Sequence, residues 1–126
     1  MPKKVLLVGH CGPDSSYLRM AVRKADQSAQ VLLVEDESKL LKALGDGADL
    51  VLINRVLDYG FAESGGIELI ARLRALHPAV KFILISNFKE AQQSAMNAGA
   101  LRGFGKGDIG SPAVTALLRE GLGAQL

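Results

Sequence analysis

Cysteine is nearly missing from this chain: Cys11 stands alone. That excludes an internal disulfide framework and a cysteine-rich metal site. Long apolar runs are missing too, since no stretch approaches the roughly 18 residues of a membrane span. Met1-Pro2-Lys3-Lys4 leads into only four apolar residues, too short for a signal peptide. Neither sign of charge is in excess. The net charge is +2, with the basic residues scattered, so electrostatics gives no reason to expect nucleic acid or an anionic membrane as partner. Apolar residues are what the chain has in quantity. They make up 48% of its 126 residues, enough for a core on both faces of a sheet, and this argues against disorder. The length fits one domain, residues 1–126. The expectation is a soluble, cytoplasmic, single-domain protein.

Short apolar runs alternate with amphipathic stretches five times. Val5–Val8 precedes a segment where Leu18, Ala21, Val22 and Ala25 recur at helical spacing. Val31–Val34 precedes Leu40, Leu41 and Leu44, and Leu50–Ile53 leads through a longer loop to Ile67, Ile70, Leu73 and Leu76. Phe82–Ile85 precedes a helix over 89–98, and a weak, glycine-rich strand near Leu101–Phe104 precedes Val114, Leu117, Leu118 and Leu122.

The punctuation agrees with this division. Pro13 suits the first turn of helix one, where its missing N–H would be unpaired anyway. Asn87 with Glu90 reads as a capping box for helix four. Ser111-Pro112 reads as N-cap and first residue of helix five, and Gly99 lies where a left-handed residue ends helix four. Consecutive apolar positions in the strands mean burial on both faces, as in a parallel sheet flanked by helices. The expected fold is therefore α/β, a doubly wound five-stranded parallel sheet in a three-layer sandwich. Such folds place their site at the carboxyl ends of the strands.

Those ends hold Gly9-His10-Cys11, Asn54, Ser86-Asn87 and Gly105-Lys106. Here nearly the whole chain resembles the receiver domain of response regulators, a flavodoxin-like, CheY-like (βα)5 fold of two-component, phosphorelay signalling. In that family two acidic residues after strand one bind magnesium, and an aspartate after strand three accepts the phosphoryl group. A Thr or Ser after strand four and a Lys after strand five complete the site. Ala48-Asp49-Leu50-Val51-Leu52-Ile53-Asn54 looks like the third-strand motif with Asn in the acceptor's place. Gly65-Gly66-Ile67-Glu68-Leu69-Ile70 resembles the start of helix three, and Ala98-Gly99-Ala100 the approach to strand five. The spacings of 44 residues from His10 to Asn54 and 52 from Asn54 to Lys106 fit the family's layout. A rival register, with Glu35-Asp36 as the acidic pair, puts the acceptor near Val80 or Lys81, where no Asp stands. Glu35 and Asp36 read instead as a solvated helix start.

The departures from the family decide the functional reading. Phosphoryl transfer needs a carboxylate nucleophile and a divalent cation to neutralise charge, and magnesium takes hard oxygen ligands. Asn54 is a neutral amide, and Gly9 and His10 stand where the acidic pair would be. Gly9, His10, Asn54, Ser86 and Lys106 therefore read as a degenerate acceptor pocket with no catalytic residue, metal or cofactor. Ser86 and Lys106 suit an anion without transferring it. At the position of the family's strand-five aromatic stands Gly103, with Phe104 next to it, and Gly107 replaces the proline that usually follows the lysine. The loop from Asp58 to Ser64 is longer than usual, as befits either a contact site or a tolerated insertion.

The resemblance thus implies a pseudo-receiver, not an enzyme, that acts through a protein partner in a signalling pathway. The family's usual output face, helix four with strand five and helix five, would here carry Lys89, Gln92, Gln93, Met96, Arg102, Phe104 and Arg119. Homodimerisation through that face is an open alternative. So is a conventional response regulator with a displaced acceptor, Asp58, or a small ligand-binding or enzymatic domain on the same sheet, since fold does not fix function. Against the last, Gly9-His10-Cys11-Gly12 lacks the G-x-G-x-x-G spacing, and no hydroxyl follows Lys106 at the P-loop position. His10, Cys11 and Asp14 are metal-ligand types without an established spacing. Cys11 and His10 on an extended strand would point to opposite faces, which disfavours a thiol nucleophile.

Overall fold

The computed structural model describes residues 2–57 and 60–123. In chain order the elements are β1 (Lys4–Val8), α1 (Gly12–Ala25), β2 (Gln30–Val34), α2 (Glu37–Asp46) and β3 (Leu50–Asn54). They continue with α3 (Gly66–Leu76), β4 (Lys81–Ile85), α4 (Lys89–Asn97), β5 (Leu101–Phe104) and α5 (Pro112–Gly121). A single 3-10 turn, Lys106–Asp108, links β5 to α5. All strands run parallel in the order β2-β1-β3-β4-β5. The expected doubly wound α/β sandwich is therefore the fold that forms. No described helix is long and apolar enough to cross a membrane.

Successive residues of a strand point to opposite faces, so each apolar run feeds two cores. Leu6, Val51, Ile53 and Phe82 pack beneath α2, α3 and α4. Val5, Leu7, Leu52 and Ile83 pack beneath α1 and α5, against Leu18, Val22, Val114 and Leu118. Removing each such aliphatic side chain from water contributes about 1.5–3 kcal/mol. The chain's order reverses between β1 and β3, which brings the residues after β1 and β3 together at the carboxyl end of the sheet.

Local signals mostly held. Ser111 caps α5, its hydroxyl accepting from the Val114 N–H. Asp36 caps α2 through the Lys39 N–H at 2.8 Å, which keeps it outside the strand-end pocket. Pro13 falls in the first turn of α1, and Gly99 follows α4 at φ 111°.

Two expectations are corrected. Phe88, not Asn87, is the N-cap of α4, and it makes no side-chain cap. The Asn87 Oδ1 instead accepts from the Gly107 N–H at 3.3 Å, a tertiary partner that outcompetes the local box. Nor is β2 buried on both faces: Leu32 is 48% exposed and Leu33 41%. It is an edge strand, and the flanking helices reach over it only partly.

Candidate functional site

The strand ends form a cleft of about 200 Å³ lined by Asn54, Arg55, Val56, Ser86, Asn87, Phe88 and Lys106. Of the pocket residues read from the sequence, Asn54, Ser86 and Lys106 line this cleft, Gly9 meets Asn54 through its carbonyl, and His10 does not line it.

The Asn54 Nδ2 donates to Gly9 O at 3.2 Å and to Val56 O at 3.0 Å. Both protons of its amide face backbone carbonyls. A carboxylate has no proton for either carbonyl, so an aspartate here would oppose two oxygens. The Ser86 hydroxyl is buried and accepts from the Phe88 N–H at 3.2 Å. Lys106 pairs with Asp14 at 2.9 Å. That hydrogen bond, more than any other influence, holds the Asp14 carboxyl below the usual carboxylate range, with further help from the Cys11 thiol. Cys11 itself is exposed, at the N-cap of α1.

His10 points into the fold, its Nε2 2.9 Å from Leu52 O. A carbonyl only accepts, so Nε2 carries the proton and Nδ1 the lone pair. Nδ1 is buried and has no partner among the described residues. Burial above all pushes the His10 pKa down, and nearby Lys106 adds to this. The ring is therefore neutral at physiological pH. Asp14 is already paired to Lys106, and among the described residues no group of three His, Cys, Asp or Glu side chains comes together to hold a metal ion.

Gly9 has φ 77°, and a Cβ built on it would lie 2.6 Å from Leu57 Cδ2. Leu57 thus fills the space beside Gly9, where an acidic side chain would need room. It is anchored there: it is buried, and its N–H donates to Ser64 O at 2.9 Å. A bridge joins Val56 to Gly65. Further along, the connection is tied to α2 and α3. Glu37 N–H donates to Gly60 O at 2.7 Å, and the Glu37 carboxylate accepts from the Ala62 N–H and from Arg72. Arg72 also pairs with Glu63, and the hydrogen bond to Glu63 chiefly raises its pKa. Phe61 is buried as well, while Gly60, Ala62 and Ser64 are exposed. Asp58 lies outside the described residues.

The α4–β5 face carries a second groove, of about 630 Å³, bordered by Lys89, Gln93, Met96 and Arg102. Of the other residues read for that face, Phe104 is buried in the core. Arg119 turns to the far side, its Nε donating to Ala25 O. Gln92 closes a defect in the sheet. Ile83 pairs with Leu101 but Ile85 with Phe104, so β5 holds one extra residue, a bulge. The Gln92 Nε2 lies within hydrogen-bond distance of Leu84 O, Ser86 O and Phe104 O. A Cβ on Gly103 would collide with the Gln92 side chain and the Leu84 carbonyl. The Gln92 Oε1 is buried without a partner among the described residues.

Sequence reading missed four arrangements: Leu57 against Gly9, Asp14 with Lys106, Gln92 at the bulge, and Arg55 stacked 4.9 Å over the Phe88 ring. The two glycines held the usable signal, because glycine within or at the end of a strand marks a close approach. What approaches is invisible in one dimension.

No protein-family model matches the chain. Ribonuclease HII from several strains of Coxiella burnetii is 38% identical over 76 residues, which is 60% of this chain. The chain spans 37% of the length of these curated relatives. Among solved structures, NtrX from Brucella abortus matches 98% of the chain with a TM-score of 0.74 at 21% identity, the chain covering 27% of it. The receiver domain of the stress response regulator RcsB from Escherichia coli matches 99% of this chain and 97% of its own, with a TM-score of 0.77 and 14% identity. A response regulator from Thermotoga maritima matches 98% and 100%, with a TM-score of 0.74 and 18% identity. At these identities the likeness is one of fold, and the fold of this chain is that of the response-regulator receiver domains.

Proposed function

We propose that this chain is a pseudo-receiver of two-component signalling, acting through phosphorylation-independent protein–protein interaction. The observation that carries this reading is that the side chains of its pocket are engaged within the chain. Asn54 gives both amide protons to carbonyls, and Leu57 fills the space beside Gly9. On this reading a neutral amide stands in place of the nucleophile, and the space that an acidic side chain at Gly9 would use is taken by Leu57. Lys106 is paired with Asp14, and Arg55, the other cation of the cleft, stacks over Phe88. The partner is a protein of the same pathway, met at the groove of Lys89, Gln93, Met96 and Arg102, which the bulge holds in one form. The chain is not an enzyme on this reading, and its place is the cytoplasm. A ribonuclease activity gains no support from the site: the likeness is partial, and no metal-holding cluster exists among the described residues.

Intact-mass measurement after incubation with magnesium and acetyl phosphate tests this, with a conventional receiver as positive control. The wild type is expected to stay at its own mass. An adduct on Asp58 or any other residue would restore the conventional reading. Asn54→Asp is expected to remain unlabelled too, and to lose about 1–3 kcal/mol of stability because its carboxylate meets two carbonyls. Efficient labelling of that variant would mean that a single residue, and not the engaged pocket, blocks the chemistry.

A further inference from the structure

β2 pairs with β1 on its inner side, and no described strand lies on its outer side. The Gln30 N–H donates to Lys3 O, and Val34 O accepts from the Gly9 N–H. The peptide groups of residues 30, 32 and 34 therefore turn toward β1, and those of Val31 and Leu33 turn outward. Natural edge strands are guarded against pairing by charges, proline or bulges. Gln30-Val31-Leu32-Leu33-Val34 has none of these. Its two half-exposed leucines lie on opposite faces of the strand.

The surroundings of the strand say what fits. On the α2 side, Lys4, Lys39 and Lys42 border a cleft beside Leu32 in which Asp46 is the one carboxylate among the lining residues. On the α1 side, Leu33 shares a shallow groove with Met20, which is 67% exposed, and with one cation, Arg19. We propose that β2 takes up an extended segment of a partner protein as a sixth strand of the sheet. The segment's alternate side chains are acidic toward Lys39 and Lys42 and apolar toward Leu33 and Met20. Main-chain hydrogen bonds supply affinity in such strand addition, and the side-chain pockets supply specificity. A second copy fits poorly, because a two-fold β2–β2 pairing brings each copy's α2 lysines toward the other's. The inference stands apart from the pocket, since the same edge would serve a phosphorylated receiver.

The test uses the full ¹⁵N-labelled chain and a capped hexapeptide of alternating glutamate and valine, with the lysine–valine counterpart as control. Glutamate peptide is expected to shift amides 30–34 and to slow exchange at Val31 and Leu33, with salt weakening the effect. Leu33→Glu is expected to weaken binding at least about tenfold. The double variant Lys39→Glu, Lys42→Glu should transfer the preference to the lysine peptide, which loss of folding cannot imitate. Equal binding of both peptides, or shifts confined to another face, would overturn the proposal. So would a β2-mediated dimer of the free chain that Leu33→Glu dissolves, because the occupant would then be a second copy.

Discussion

The sheet ends in two edges of opposite character. At β5 the edge carries Arg102, a bulge at Gly103, and Gln92 reaching from α4 to carbonyls of both β4 and β5. At β2 the edge is a regular run of uncharged residues with Leu32 and Leu33 half in water. At the first edge the bulge carbonyls between β4 and β5 find a partner within the chain, in Gln92. The other leaves outward peptide groups and half-exposed apolar side chains with no described strand beside them. An edge completed internally is a rigid surface to be recognised, whereas an edge left unguarded is a template for pairing.

The contrast is most sharply broken at Gln92. Gln92→Glu sets a carboxylate against three carbonyl oxygens and is expected to cost about 3 kcal/mol in urea unfolding. A change below about 0.5 kcal/mol, the size of an ordinary surface substitution, would mean that Gln92 does not hold β5. Gly103→Ala forces a methyl into the Gln92 side chain and the Leu84 carbonyl, with an expected loss of about 1–3 kcal/mol.

The buried His10 at the end of β1 should also carry a pH dependence of its own. Its folded pKa lies below the ordinary 6.5 because of burial, so the unfolded chain binds the proton more readily. Stability from this source is complete above about pH 6.5 and is lost as the pH falls through the lowered folded value. Urea midpoints should decline more steeply from pH 7 to pH 5 in the wild type than in His10→Gln, whose amide can still donate to Leu52 O.

The smallest effect belongs to β2. Leu33→Glu should alter stability by no more than about 0.5 kcal/mol, although it removes strand addition. Hydrogen exchange of the unmodified chain supplies a check without mutation. Val31 and Leu33 amides should exchange faster than those of Leu32 and Val34, and equal protection would mean that the edge is already covered.

The elements were legible because their signals are local. Four-residue apolar runs mark β1, β3 and β4, Ser111-Pro112 marks the start of α5, and Gly99 marks the end of α4. Burial was misjudged at β2 because Val31–Val34 reads like the inner strands, and only sheet order reveals it as an edge. Asn87 failed as a cap because Gly107, 20 residues away, offers a better partner than the local turn. The residues of the candidate pocket were legible by type and spacing. Their engagement was not, since Lys106 meets Asp14 and Leu57 meets Gly9 only through folding.

Composition and periodicity were thus sufficient for the α/β alternation and the two-sided aliphatic core. These depend on side-chain type and on spacing along one element. Tertiary structure alone decided that Leu57 fills the space beside Gly9, that Gln92 completes a bulge, and that β2 has no described strand on its outer side. Each of these depends on which groups meet across the sheet, where hydrogen-bond satisfaction and excluded volume act between residues distant in sequence.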